Sequence, residues 1–300
     1  MSVSLKGVFA PVISTFSPAN GELDTDGFSA NVRAHLDAGL HGIVVTGSTG
    51  EAALLDATER GKLIDATRAL VPSDKTLIVG TGAESTRTCL QLTRDAAGRG
   101  ADAVLVVAPH YYSSAMTTPA LERHYRAVAD ASPVPVILYN IPKYMHFALA
   151  AELVADLAKH GNIIGVKDSS GNRDLFASYM AAQSNTFSVL TGNAQMFHHA
   201  LQTGAPGGIL AVSLFAAALT LDVFETHIQG DTVSAEALQA RMTPLGAKIV
   251  GELGVAGVKA AMDRVGLAGG PVRSPLSPLD AAGLATVEAL LRGAEVATAV

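Results

Sequence analysis

A lysine that closes a wholly apolar run is the first residue in this sequence with chemistry to offer. Asn162-Ile163-Ile164-Gly165-Val166-Lys167-Asp168-Ser169-Ser170-Gly171 reads as a short strand that ends on Lys167 and then turns. A strand covered on both faces leaves no solvent side for an ammonium. Burial disfavours the charged form, so Lys167 is expected to be held toward the neutral amine. A neutral amine attacks ketones and forms Schiff bases. The plainer alternative is that Lys167 has left the strand and stands in solvent. Asp168 comes next, and in a continuing strand its carboxylate faces the other way and does not pair with the amine.

Polar residues also stand where other apolar runs end: Ser48 and Thr49, Thr81, Tyr111, Tyr139, and Thr191 with Asn193. Tyr139 directly terminates a run, as Lys167 does. Loops are polar in any case, which is explanation enough for Thr191 and Asn193. Gly47-Ser48-Thr49-Gly50 fits a plain loop, or a turn whose backbone N–H groups and two hydroxyls hold a carboxylate. Gly80-Thr81-Gly82 lacks the Gly-Lys-Ser/Thr of a nucleotide loop and reads as turn geometry. His198-His199 has no carboxylate at metal spacing, so the pair reads as structural and no metal site is expected. Glu51 and Asp168 read as structural acids, and Cys89, in a helical pattern, as a small core residue.

The elements that must carry these residues alternate. Strand candidates are Gly7–Ile13, Gly42–Thr46, Thr76–Val79, Ala103–Val107, Pro135–Tyr139, the Lys167 run, Phe187–Leu190 and Gly208–Val212. Helical stretches lie between them. Phe28, Val32 and Leu36 recur at helical spacing, Asp56-x-x-Glu59 is a capping-box start, and Thr118-Pro119 opens another helix. Such strand-then-helix units, spaced by roughly 20 to 35 residues, argue for parallel pairing. Their number and the chain length predict a closed (β/α)8 TIM barrel over residues 1–225 rather than an open sheet, which the missing Gly-x-Gly-x-x-Gly motif also disfavours. Residues 226–300 hold no β-rich run. Stretches 233–250, 255–265 and 280–297 predict a small C-terminal helical domain, with a Pro-rich connector from Gly269 to Pro278. In such a barrel the strand ends share one mouth, so the polar residues named above are expected to converge there.

Composition narrows the class. The chain has 300 residues, 49% of them hydrophobic, a net charge of -6 and an isoelectric point near 5.8. Without a basic stripe or Lys/Arg run, nucleic-acid binding is not expected. No apolar run reaches membrane-spanning length, and the N-terminus lacks signal-peptide order. A single cysteine, Cys89, suits a reducing cytoplasm.

With these residues in hand, the sequence resembles the dihydrodipicolinate synthase / N-acetylneuraminate lyase family of Schiff-base barrels along its whole length. The markers are Gly47-Ser48-Thr49-Gly50-Glu51, Pro109-His110-Tyr111-Tyr112, Tyr139-Asn140-Ile141-Pro142 and Gly165-Val166-Lys167-Asp168, in that order. The resemblance implies Lys167 as the Schiff-base lysine and Tyr139 as the proton-transferring phenol. It implies Ser48 and Thr49 as the hydroxyls that hold the keto-acid carboxylate, with Ser48 also relaying protons. Tyr111, or Tyr112 if the match shifts by one, is implied as a tyrosine lent across a dimer contact. Ile209 falls where the family lines the pyruvyl pocket. A homotetramer made of two dimers is implied, as is a cofactor-free reaction on a 2-oxo acid such as pyruvate. Synthases of the family carry an arginine two residues past the proline of the tyrosine motif; here Pro142 is followed by Lys143 and Tyr144, so Tyr144 takes that place. Other stretches, among them Lys167-Asp168-Ser169-Ser170-Gly171, look closer to 4-hydroxy-2-oxoglutarate aldolase, which points to Ser169, although Thr49 stands where that enzyme usually has asparagine. The expectation is therefore a class I aldolase of the 4-hydroxy-2-oxoglutarate or 2-keto-3-deoxy sugar acid type. The alternatives are a 4-hydroxy-tetrahydrodipicolinate synthase, a keto-deoxy sugar acid dehydratase, a metal-dependent barrel enzyme without a Schiff base, and a non-catalytic sugar-acid binder.

Overall fold

The computed structural model describes residues 3–299. Its parallel strands are β1 (Gly7–Pro11), β2 (Gly42–Val45), β3 (Thr76–Gly80), β4 (Ala103–Val107), β5 (Val136–Asn140), β6 (Ile163–Asp168), β7 (Ser188–Thr191) and β8 (Gly207–Ile209). Each pairs with the next in sequence, and β8 returns to β1, so the sheet closes into the expected (β/α)8 barrel. Nearly every strand residue is buried, as expected of apolar runs covered inside by each other and outside by helices. The closing seam needs glycine. A Cβ on Gly207 would lie 2.7 Å from the backbone nitrogen of Gly7, so a side chain there would force β1 and β8 apart.

The outer layer is α1 (Thr25–Asp37), α2 (Ala57–Arg68), α3 (Thr86–Gly98), α4 (Thr118–Ala131), α5 (Pro142–Met145), α6 (Ala151–Leu157), α7 (Arg173–Met180), α8 (Phe197–Gln202) and α9 (Ala217–Ile228). Their starts follow the capping signals. Asp56 and Glu59 form the reciprocal capping box of α2, Ser85 caps α3 and Pro119 lies in the first turn of α4. Phe28 and Val32 bury the inner face of α1.

Two elements depart from the pattern. β8 ends at Ile209 rather than Val212, because the chain turns at once into a helical turn over Ala211–Leu214 whose Ser213 hydroxyl donates to the Leu210 carbonyl. The single helix expected over 233–250 is α10 (Thr232–Pro244), continued by a wider π-helical coil over Leu245–Glu252. Pro244 marks the change: its ring removes a donor and crowds the turn before it. α10 packs along α9, and α11 (Gly254–Arg264) and α12 (Ala281–Gly293) complete the C-terminal helices. The connector between them returns to the barrel, where the amide of Asn31 on α1 clasps both the N–H and the carbonyl of Ala268. Among the described residues, no helix is long and apolar enough to cross a membrane.

Candidate active site

Strand alternation decides which side chains can meet. Tyr139 pairs with Lys167 across β5 and β6, and Asn140 pairs with Asp168 one step on. Side chains at successive positions face opposite ways. Lys167 and Tyr139 therefore share one face, with the amine 4.4 Å from the centre of the phenol ring. Both are buried, each 5% exposed, near the C-terminal ends of their strands. No carboxylate pairs with Lys167 among the described residues. The nearest acid in sequence faces away: Asp168 accepts from the Asn140 amide at 2.7 Å and from the Ser170 N–H and hydroxyl at 3.1 and 2.8 Å. Burial pushes the Asp168 carboxyl up, and those hydrogen bonds oppose the shift. Asn140 also accepts from the Leu149 N–H, so the Asn140–Asp168 clasp fixes the ends of the two strands that present the amine and the phenol.

The reach of Lys167 depends on a glycine. A Cβ on Gly192, the residue after β7, would lie 2.7 Å from Lys167 Cε and would overlap the Ser169 hydroxyl. Ser169 and the end of the lysine thus lie side by side against bare backbone. The Ser169 N–H is held by the Asn140 carbonyl at 2.9 Å. Tyr144, in the single turn of α5, is 40% exposed. Burial, and to a lesser degree the neighbouring Tyr139, pushes its phenol up. The Lys143 amine lies 5.6 Å from the centre of the Tyr144 ring and donates to the Gly251 carbonyl in the π-helical coil at 2.7 Å.

Ser48 and Thr49 lie half-buried in the loop after β2. That loop is bracketed by two residues in the left-handed region, Thr46 and Glu51, each with φ of 54°. Such backbone costs a non-glycine residue about 1–3 kcal/mol and needs surrounding contacts to persist. Thr46 donates to the Gly80 carbonyl, Ser14 donates to the Gly50 carbonyl, and Glu51 is buried against Lys259. Glu51 is thus a structural acid, as expected. Ile209 is the last residue of β8 and fully buried.

Other strand-end residues are committed elsewhere. Thr81 does not join the mouth; it is buried with its hydroxyl 3.0 Å from that of Thr93 on α3, so it faces the helices. The Thr191 hydroxyl donates to the Asn193 carbonyl and accepts from the Asn193 N–H, and the Asn193 side chain caps the turn that follows. By contrast, among the described residues no protein hydrogen bond engages the side-chain polar atoms of Lys167, Tyr139, Ser48, Thr49 or Ser169. Tyr111 is not brought to Lys167 within the chain: it is 77% exposed, edge-on to Tyr112 with ring centres 5.0 Å apart. Its loop is nonetheless held, because one Glu84 oxygen accepts from the N–H groups of His110 and Tyr111 at 2.9 and 2.8 Å.

His198 is buried, stacks edge-on to His227 and is lowered by that burial, in keeping with a structural role. No cluster of three or more His, Cys, Asp or Glu fit to hold a metal ion occurs among the described residues.

An amine beside a phenol, with unengaged hydroxyls in the loop after another strand of the same barrel, is a set of groups whose types can bind a carboxylate, attack a ketone and move protons. The model of the dihydrodipicolinate synthetase family matches residues 4–294. The chain belongs to the dihydrodipicolinate synthetase family. It is a carbon–carbon lyase of that family. It is 33% identical over 275 residues to a 4-hydroxy-tetrahydrodipicolinate synthase of Methanothrix thermoacetophila, covering 91% of this chain and 92% of that one. It is 36% identical over 287 residues to an uncharacterized DapA-like lyase of Halobacterium salinarum, covering 96% and 93%. Among solved structures, the chloride-inhibited dihydrodipicolinate synthase from Acinetobacter baumannii, complexed with pyruvate, superposes with a TM-score of 0.92 at 28% identity, over 98% of this chain and 100% of that one. Asn140 stands within the Tyr139-Asn140-Ile141-Pro142 marker, but its clasp on Asp168 and the parts played by Gly192 and Glu84 are not read from the sequence. Only the position of Gly192, between two strand-end polar residues, hinted at a site.

Proposed function

We propose that this lyase makes or breaks the C3–C4 bond of a 2-oxo acid through a Schiff base on Lys167, with pyruvate as donor or product. The observation that carries the reading is the Lys167 amine, free of any carboxylate partner among the described residues and 4.4 Å from the Tyr139 ring. The Lys167 amine attacks the C2 ketone, and water leaves as the iminium forms. The iminium draws electrons from the C3–C4 bond. Tyr139 takes the proton of the C4 hydroxyl as that bond breaks, releasing an aldehyde and leaving an enamine. Protonation at C3 and hydrolysis of the imine then free pyruvate and Lys167. Ser48 and Thr49 hold the C1 carboxylate, Ser48 relays protons, and Ser169, Tyr144 and Ile209 line the pocket. Tyr111, exposed in the single chain, completes the relay in a partner's site, which makes the working form an oligomer of at least two chains and, with the family, a homotetramer.

For the substrate we favour a 4-hydroxy-2-oxo acid of the 4-hydroxy-2-oxoglutarate or 2-keto-3-deoxy sugar acid type. Tyr144 offers a phenol where a synthase of the family carries an arginine, and the adjacent Lys143 amine, already engaged by the Gly251 carbonyl, lacks the bidentate geometry of a guanidinium. The synthase reading is favoured by the names of relatives at 33% identity. Borohydride reduction in the presence of pyruvate, followed by peptide mass spectrometry, tests the chemistry: an adduct is expected on Lys167 and none in Lys167→Ala. No adduct on the unaltered chain would end the Schiff-base reading. Incubation with pyruvate and aspartate semialdehyde separates the two substrates, since efficient formation of the cyclic amino diacid would overturn the aldolase choice.

A further inference from the structure

The acid that follows the Ser48-Thr49 turn is held from outside the barrel. The side chains of Glu51 and of Lys259 on α11 are 0% and 1% exposed, with Lys259 Nζ 2.5 Å from Glu51 Oε1. The same ammonium donates to the Pro271 carbonyl at 2.7 Å. The other Glu51 oxygen accepts from the backbone N–H of Arg273 at 2.8 Å. The Arg273 guanidinium is itself fixed: it pairs bidentately with Glu59 at 2.6 and 2.7 Å and donates to the carbonyls of Leu54 and Gly21. Lys259 Nζ and the Arg273 guanidinium both lie over the Phe16 ring, 4.5 and 4.1 Å from its centre.

A fully buried ion pair is a poor device for stability, because desolvation of both charges offsets their attraction; what it does well is select one geometry. The geometry selected here is that of a strained turn, since Glu51 is one of its two left-handed residues. We propose that Lys259 and Arg273 are positioning residues for the acid end of the substrate, acting through Glu51 to hold Ser48 and Thr49 where a carboxylate must lie for Lys167 to reach its ketone. This rests on the reading that Ser48 and Thr49 hold that carboxylate.

The test titrates pyruvate against borohydride trapping on Lys167 in the full chain, well below the melting temperature. Glu51→Gln combined with Lys259→Met removes both charges at near-constant volume. The pyruvate concentration for half-trapping is expected to rise about tenfold, with the final trapped fraction unchanged, because binding geometry and not the amine is altered. Glu51→Gln alone, which serves if the double variant does not fold, is expected to move the same way. A purely structural role would lower the melting temperature and leave half-trapping where it was, and that result in either folded variant overturns the proposal. Ser48→Ala with Thr49→Val is the control. If it traps like the unaltered chain, the carboxylate reading fails; if it raises half-trapping while the Glu51 variants do not, that reading stands and the role of Lys259 and Arg273 falls.

Discussion

Lys167 works at the end of a long flexible stem, so its usefulness depends on what touches that stem. Gly192 does, and it leaves no room to spare. Gly192→Ala would set a methyl 2.7 Å from Lys167 Cε, and the stem would have to leave its rotamer. The rate of pyruvate trapping is expected to drop by about tenfold or more, since small misplacements of a reacting group carry large penalties. Trapping at the unaltered rate in a folded variant would show that the amine does not depend on that space. Lys167 and Tyr139 were legible in the sequence because each ends an apolar run, and the end of a run is written in residue types. Gly192 was not, because a glycine required for room reads the same as a glycine required for a turn. Thr81 shows the converse: its place at a strand end was legible, but not its face, because β3 runs one residue further than expected, to Gly80, and the hydroxyl then meets Thr93.

At the scale of elements, two buried histidines in the helical layer set an acid limit on the fold. His35 on α1 and His124 on α4 are both pulled down by burial to about 4. A histidine whose folded value lies below its ordinary one gains a proton on unfolding. Its stabilising contribution is full above pH 6.5 and is lost as pH falls toward about 4. Asp168, pushed up by burial, works against this trend as the medium acidifies. The melting temperature of His124→Gln is therefore expected to fall less steeply than that of the unaltered chain over this interval, with proton uptake on unfolding smaller by about one. Calorimetry in buffers of different ionisation heat measures it, and parallel slopes would rule the histidine out. Helix starts were legible here where Asp56 with Glu59 and Thr118-Pro119 supply start signals whose chemistry is local. The π-helical coil after Pro244 was not: the periodicity of apolar residues continues through it, and the width of a coil leaves no mark in that pattern. The short turn of α5 went unread for a similar reason, being too brief to show a period.

For the whole molecule, the barrel was legible because strand and helix signals alternate along the chain, and closure follows from count and length. What a single chain holds of its own site was less so. Tyr111 stands 77% in solvent on a loop that Glu84 keeps ordered, which suits a residue meant for a neighbour. Tyr111→Phe and Lys167→Ala chains, each impaired alone, are expected to regain pyruvate-releasing activity on a 4-hydroxy-2-oxo acid when refolded together, because the hybrid reunites one Lys167 with one intact Tyr111 from the other chain. No gain over the separate chains would confine Tyr111 to its own subunit or remove it from the reaction. The tie between Glu51 and the Arg273 N–H has a consequence in time as well as in space. During synthesis every strand of the cylinder leaves the ribosome before Arg273 is made. If Glu51 positions the substrate's acid end as proposed, the grip on that end is completed only once the tail has been made.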